Sequence, residues 1–385
     1  MQIYRGYKFR LYPNEEQKIL INQNIGSSRY VYNYFLSRKN NYYQECKGNL
    51  SLKDLKSELV QLKKEQLFLK TCDSMVLTNS LEDLDTAFTN FYNKRSSLPV
   101  FKKKGIHDKY KTDCIRSSYK NNNYANILLD LKNKTISLPK IGKVKIRGYR
   151  DLKKDLYIIN ATISKVGNKY YVSLCCKETT VEKEFVLRNA IGIDVGVSSL
   201  ITTSDEIKYP KLKVERIEKH IEVLQEKLSR CIKKSKNYEK IKNKIARLYQ
   251  KIKNMRKFYL HQITNEIVEA NDLVVCETLK TKEMIENSES KKLRKGIVNA
   301  CFNEIIRQLE YKTKWQSKIL IKVNQYFPSS KLCSHCGTKN AINDLSIRSF
   351  ECCKCHYEND RDINASINIL DEGIRIAFNK GLIIV

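Results

Sequence analysis

IGIDVGVSSL, residues 191–200, reads as an apolar strand that stops at a carboxylate, Asp194, and turns through Val195 and Gly196 into further short strands. Downstream, NDLVVCETL at 271–279 and KILIKVNQYF at 318–327 have the unbroken apolar character of buried strands, and NASINILDEGIRIAF, near the end, has helical periodicity. Strands alternating with helices predict a mixed α/β domain over 187–385. Residues 212–270 interrupt it with a highly charged helical stretch. Ile217, Ile221, Leu224 and Leu228 form one apolar stripe, and Tyr238, Ile241, Ile245, Leu248 and Ile252 a second. KKSKN at 233–237 separates them, which predicts a helical hairpin rather than one rod.

Upstream, YKFRLYP at 7–13 alternates like a strand, and Asn14 is placed as the N-cap of a following helix. Helical patterning then runs to about residue 95, ending at Pro99 and FKKKG, 101–105. From 125 to 186 the period is two, with VGNK at 166–169 as a hairpin turn. The first strand has no local partner. We therefore expect residues 1–13 and 125–186 to form one small antiparallel sheet or barrel, with 14–124 as an inserted helical lobe.

The 385 residues include 72 Lys and Arg against 42 Asp and Glu, a formal charge of 72 − 42 = +30. Such an excess excludes an ordinary metabolic enzyme as the default and points to a polyanion, DNA or RNA first and an anionic membrane surface second. The membrane is disfavoured because no run of about 18 apolar residues occurs, and the N-terminus carries charges where an export signal needs an apolar segment. Candidate phosphate contacts are Lys102, Lys103 and Lys104, and candidate base-edge contacts are Thr78 and Asn79. The aromatic run around Arg29 (Tyr30, Tyr32, Tyr34, Phe35) reads as helix core ahead of a stacking platform, and His261 as a helix-face contact.

Thirteen cysteines without an export signal argue for thiols rather than a disulfide framework. Nine are scattered. Cys333, Cys336, Cys352 and Cys355 have the spacing C-x₂-C-x₁₅-C-x₂-C, in which two turns each aim two thiolates at one point. Four protein ligands fill a tetrahedral shell, so the zinc expected here is structural. Cys353, His335 and His356 are neighbours rather than expected ligands.

Asp194 and Glu277 each end an apolar strand, and Asp362 lies just before the last helix in DRDINASINIL. Three carboxylates at element ends of one α/β domain can converge on a pair of magnesium ions, which phosphodiester cleavage requires and hard oxygen ligands suit. Taken singly, each is more often a turn or N-cap residue than a catalytic one.

IGIDVGVSSL, VVCETL at 274–279, SSKLCSHCG at 329–337 and DRDINASINIL at 360–370, in this order, resemble the TnpB (OrfB) family of insertion-sequence proteins. YKFRLYPNEEQ, SSRYVYNYFL, LPVFKKKG and the 235–264 helical stretch extend the likeness over nearly the whole chain. The resemblance implies a RuvC-like nuclease domain of RNase H fold with helical-hairpin (212–270) and zinc-finger (328–358) insertions, preceded by a wedge-like β-barrel domain carrying a helical recognition lobe. It also implies that Asp194, Glu277 and Asp362 are the catalytic, magnesium-binding triad and that the four cysteines hold zinc. Asp362 is preferred to Asp360, which is placed to cap. The departures are His356 for a glycine, Phe350 for a common Trp and Ser366 for a common Ala.

The implied activity is that of an RNA-guided, magnesium-dependent DNA endonuclease, partnered by a guide RNA from the element's end and by double-stranded target DNA, and acting in a prokaryotic cytoplasm at the nucleoid. Two alternatives share the sequence pattern, a compact CRISPR effector and a guided repressor whose nuclease has decayed. The repressor is expected to lack a triad carboxylate, and none is missing. No tyrosine or HUH nucleophile motif supports strand joining.

Overall fold

The structure, a computed structural model, describes residues 2–119, 122–147, 156–179, 185–196, 199–288, 290–340 and 348–383. Parts of the expected β domain (148–155 and 180–184), Val197 and Ser198 of the first motif, and 341–347 of the zinc-finger segment lie outside them. The chain divides into two compact units, Met1–Val181 and Glu182–Val385.

The first unit opens with strand β1 (Gln2–Tyr12) and helices α1 (Glu15–Cys46), α2 (Leu52–Glu65) and α3 (Ser74–Tyr92). Asn14 caps α1 in a reciprocal capping box with Gln17, and Ser51 caps α2 in the same way with Asp54. Val31, Phe35, Leu36, Leu55, Leu77, Leu81 and Leu84 bury the facing stripes of the three helices. Strands follow as β2 (Lys109–Asp113), a hairpin of β3 (Arg116–Tyr119) and β4 (Asn122–Ala125), then β5 (Leu128–Asp130), β6 (Thr135–Leu138), β7 (Gly142–Arg147), β8 (Tyr157–Val166) and β9 (Lys169–Thr179).

The partner of β1 is β9, antiparallel from Gln2↔Thr179 to Leu11↔Tyr170, so the helices are inserted between strands of one sheet. The sheet order is β2-β8-β9-β1-β7-β6-β5. Among the described residues no pairing joins the edge strands β2 and β5, so the strands form an open seven-stranded sheet where a closed barrel was one expectation. The sheet also begins earlier than 125: β2 pairs with β8 from Lys109↔Ser164 to Asp113↔Asn160. KYKTD is too short and too charged to read as a strand, although Tyr110 and Thr112 are buried.

The second unit contains β10 (Ala190–Asp194), β11 (Ile201–Thr203), β12 (Lys208–Tyr209), α4 (Glu215–Ser229), α5 (Lys236–Ala270), β13 (Leu273–Glu277), α6 (Thr281–Glu286), α7 (Lys291–Ala300), α8 (Phe302–Trp315), β14 (Ile319–Val323), β15 (Ser349–Glu351), β16 (Glu358–Asp360) and α9 (Arg361–Asn379). Its sheet has the order β12-β11-β10-β13-β14. β10, β13 and β14 are parallel, while β11 and β12 add as antiparallel strands.

The sheet is covered on both faces, which is why its central strands are apolar throughout. Ile191, Ile193, Val274 and Cys276 face α5 and α8 through Leu260, Ile263, Ile267, Phe302, Ile305 and Leu309. Leu273, Val275, Ile321 and Val323 face α9 through Ile369 and Ala377. Two glycines allow α9 to lie close. A Cβ on Gly192 would stand 2.1 Å from the Ser366 carbonyl oxygen, and one on Gly373 2.2 Å from Val275 Cγ1. α4 and α5 form the expected hairpin, sealed by Ile221, Leu224, Ile245 and Ile252.

Candidate active site

The alternation of β10 and β13 fixes where their last side chains point. Ile193 and Cys276 lie on the α5/α8 face and are partners in the parallel register. Asp194 and Glu277, one residue on, therefore turn to the opposite face, the α9 side, at the carboxyl ends of adjacent parallel strands. Asp362 is the second residue of α9. Asp360 is the N-cap: its Oδ1 accepts from the Asp362 N–H at 3.0 Å and the Ile363 N–H at 3.3 Å, and its Oδ2 pairs with Lys208 at 2.6 Å. Asp360 is thus occupied in starting the helix, and Asp362 is the carboxylate that acts on Asp194.

The three carboxylates repel one another across the site. Burial, then the negative charges of Glu277 and Asp362, push the Asp194 carboxyl up to about 7. Burial also raises Glu277, against a hydrogen bond donated by the Ser329 hydroxyl. A desolvated carboxylate facing two others is an arrangement that a hard cation relieves, and the donor set of three oxygen ligands suits magnesium. Their oxygens are more widely spaced than the cysteine ligands: among the described residues only the cysteines bring three or more ligand atoms within 4.8 Å of one another.

The structure adds a residue that the motifs did not single out. Arg348 Nη1 lies 3.5 Å from Asp362 Oδ1, with its side chain 57 % exposed, and its charge favours ionised Asp194. Its backbone oxygen accepts the Arg361 N–H at 2.8 Å, which ties it to the start of α9. No spacing rule marks one arginine outside a motif; only the fold brings it to the carboxylates.

Sγ of Cys333 lies 3.6 Å from that of Cys355, and Sγ of Cys336 lies 3.5 Å from that of Cys352. A tetrahedron with metal–sulfur bonds of about 2.3 Å requires sulfurs about 3.8 Å apart, so this quartet is dimensioned for one metal ion. Cys353 turns away and donates to Asn340 Oδ1 at 3.1 Å.

The remaining candidates fall in the first unit. Asn79 is buried, donating to the Met75 carbonyl at 2.8 Å and Asp113 Oδ2 at 3.0 Å, so it braces α3 against β2. The Thr78 hydroxyl bonds back to the Ser74 carbonyl at 3.3 Å. Lys102 lies 3.8 Å over the Tyr32 ring and 3.4 Å from Asp83, while Lys103 and Lys104 are exposed. Tyr32 and Phe35 are core, and Arg29 is paired with Asp108. His261 meets the Tyr311 hydroxyl at 3.5 Å on the α5–α8 contact.

Three family models match the chain: OrfB_IS605, described as "Probable transposase", over 173–288; a Cas12f1-like TNB domain over 302–369; and an OrfB_IS605 helix-turn-helix domain over 1–48. A Streptomyces pristinaespiralis protein named "Putative RNA-guided DNA endonuclease" is 32% identical over 378 residues, covering 97% of this chain and 90% of the relative. "Putative RNA-guided DNA endonuclease InsQ" of Escherichia coli K12 is 30% identical over 388 residues, covering 97% and 93%. Among solved structures, a Cas12f1 chain from a complex with single guide RNA and target DNA superposes with a TM-score of 0.57 at 14% identity, covering 96% of this chain and 98% of that one, a likeness of fold.

Proposed function

The chain belongs to the TnpB (OrfB) family of insertion-sequence proteins, and from that premise we propose that it is an RNA-guided DNA endonuclease that hydrolyses phosphodiester bonds beside a short flanking motif. The observation that carries the reading to this chain is the set of three carboxylates, Asp194, Glu277 and Asp362, interacting at the carboxyl end of a parallel sheet. Glu277 and Asp362 both raise Asp194.

Asp194, Glu277 and Asp362 would hold magnesium, which when bound supplies Lewis acidity toward the phosphate and an activated water. The chain's own residues do the rest. β10 and β13 fix two carboxylates in register, and the Asp360 cap fixes the third. Arg348, at the exposed edge of Asp362, is placed to take a phosphate oxygen. The four cysteines would hold zinc, fastening the segment that carries Arg348. Sequence choice falls to base pairing with the guide, while the protein grips backbones electrostatically, a task suited to the formal charge of +30.

The test is to purify the protein with its co-expressed RNA, sequence that RNA, and challenge the complex with a plasmid library carrying a randomised flanking motif. Cleavage should require RNA and magnesium and vanish in D194N. Cutting without RNA, or cutting that survives D194N, would overturn the assignment.

A further inference from the structure

One network connects the cysteine cluster with the carboxylates. α9 carries Asp362 in its first turn and Asn364 and Asn368, one turn apart, on a buried face. Asn364 Nδ2 donates to the Leu332 carbonyl at 2.7 Å, and its Oδ1 accepts the Ser334 N–H at 2.9 Å, so one amide brackets Cys333 from both sides. Asn368 Nδ2 donates to the carbonyls of Leu332 and Ser329, each at 2.8 Å. The turn from Pro328 to Leu332 is closed by the Lys331 N–H to Pro328 carbonyl bond at 2.9 Å. Held in that turn, the buried Ser329 directs its hydroxyl to Oε1 of Glu277. Among the described residues, Oε2 of Glu277 has no protein partner.

We propose that Ser329 is a positioning residue for Glu277: anchored by Asn364 and Asn368 and by the adjoining cysteine cluster, it fixes one carboxylate oxygen so that the other is presented to the metal. The proposal rests on the nuclease reading above. It gives a role to the two asparagines of DINASINIL, whose side chains bond to the backbone of Ser329, Leu332 and Ser334. It also makes the cysteine cluster part of the geometry of the carboxylate site. A hydrogen bond to a metal-ligating carboxylate removes its rotational freedom before metal arrives, and losing such a partner typically costs about 10–100-fold in metal affinity or activity.

The experiment compares full-length wild type, S329A and S329T. It reads zinc content by mass spectrometry, magnesium binding by calorimetry on the protein, and the magnesium midpoint of guided cleavage on the RNA complex, with E277Q and D194N as controls. For S329A the expected result is unchanged zinc, with weaker magnesium binding and a cleavage midpoint raised about 10–100-fold; S329T, which keeps the hydroxyl, restores both. Wild-type binding and midpoint in S329A would overturn the role, as would equal losses in S329T, which would trace the effect to packing rather than to the hydrogen bond. If S329A instead loses zinc, the hydroxyl supports the cluster and not Glu277, and the proposal falls. A wild-type complex that neither binds magnesium nor cuts would overturn the nuclease reading itself, and this role with it.

Discussion

Asp194 carries the clearest pH signature. Its carboxyl is raised from 3.8 to about 7 in the fold, so between those values the folded chain binds a proton that the unfolded chain has released. The stability this group contributes is complete below pH 3.8 and is lost as pH rises toward 7. Without divalent metal, the melting temperature of wild type should therefore fall relative to that of D194N over that window, leaving D194N the more stable at pH 7, and magnesium should stabilise wild type but not D194N. A difference between the two that does not change with pH over this range would contradict the crowded, desolvated site. Arg348 makes a separate prediction. R348Q should retain nucleic-acid binding and cut about 10²–10³-fold more slowly, the usual consequence of removing one oriented donor from a transition state, read as a loss in single-turnover rate at saturating magnesium.

At this scale the carboxylates and cysteines were legible in the sequence because each ends a strand, starts a helix or sits in a fixed spacing. Arg348 and Ser329 were not. Their proposed roles rest on contacts across 14 and 52 residues, to Asp362 and Glu277, and nothing local distinguishes them from other arginines and serines.

Among the elements, α9 is the one on which most depends, since it seats against β10, β13 and β14 and supplies both Asp362 and the asparagine clamp. Gly192 is where it comes closest. G192A puts a methyl against a backbone oxygen that cannot swing aside, and should cost about 1–3 kcal/mol of stability by denaturant unfolding, the range for overpacking, with cleavage falling in step. The cysteine cluster should behave as a folding unit: structural zinc contributes about 10–16 kcal/mol in such modules, so chelation should unfold 328–358 and abolish cutting.

α5 has the opposite character. Lys240, Lys244, Arg247 and Lys251 are exposed along one strip and have no carboxylate partner among the described residues, while α4, beside it, carries Glu215, Glu218, Glu222 and Glu226. The hairpin was legible from its two apolar stripes. β2 was not, because its burial arises from pairing with β8, fifty residues away in sequence, and not from its own composition.

For the whole molecule, the charge of +30 predicts that affinity for duplex DNA falls with salt, by about 0.9 log unit per log unit of salt for each phosphate contact. Replacing the four basic residues of the α5 strip by Gln should reduce that slope without changing the melting temperature; an unchanged slope would mean that this face is merely solvated. The α/β order of the second unit was readable because its central strands β10, β13 and β14 are apolar and its long helices amphipathic. The joining of residues 2–12 to a sheet completed 170 residues later was deduced only from the absence of a nearer partner, and whether that sheet closes depends on edge pairings that no local pattern encodes.

The most direct test is single-turnover cleavage of one matched plasmid by the purified complex, wild type against D194N, with and without guide RNA and with magnesium or a chelator. Cutting is expected only by wild type, only with guide and only with magnesium, while D194N binds the same DNA with undiminished affinity. Equal cutting by D194N, or by the RNA-free protein, would contradict this expectation.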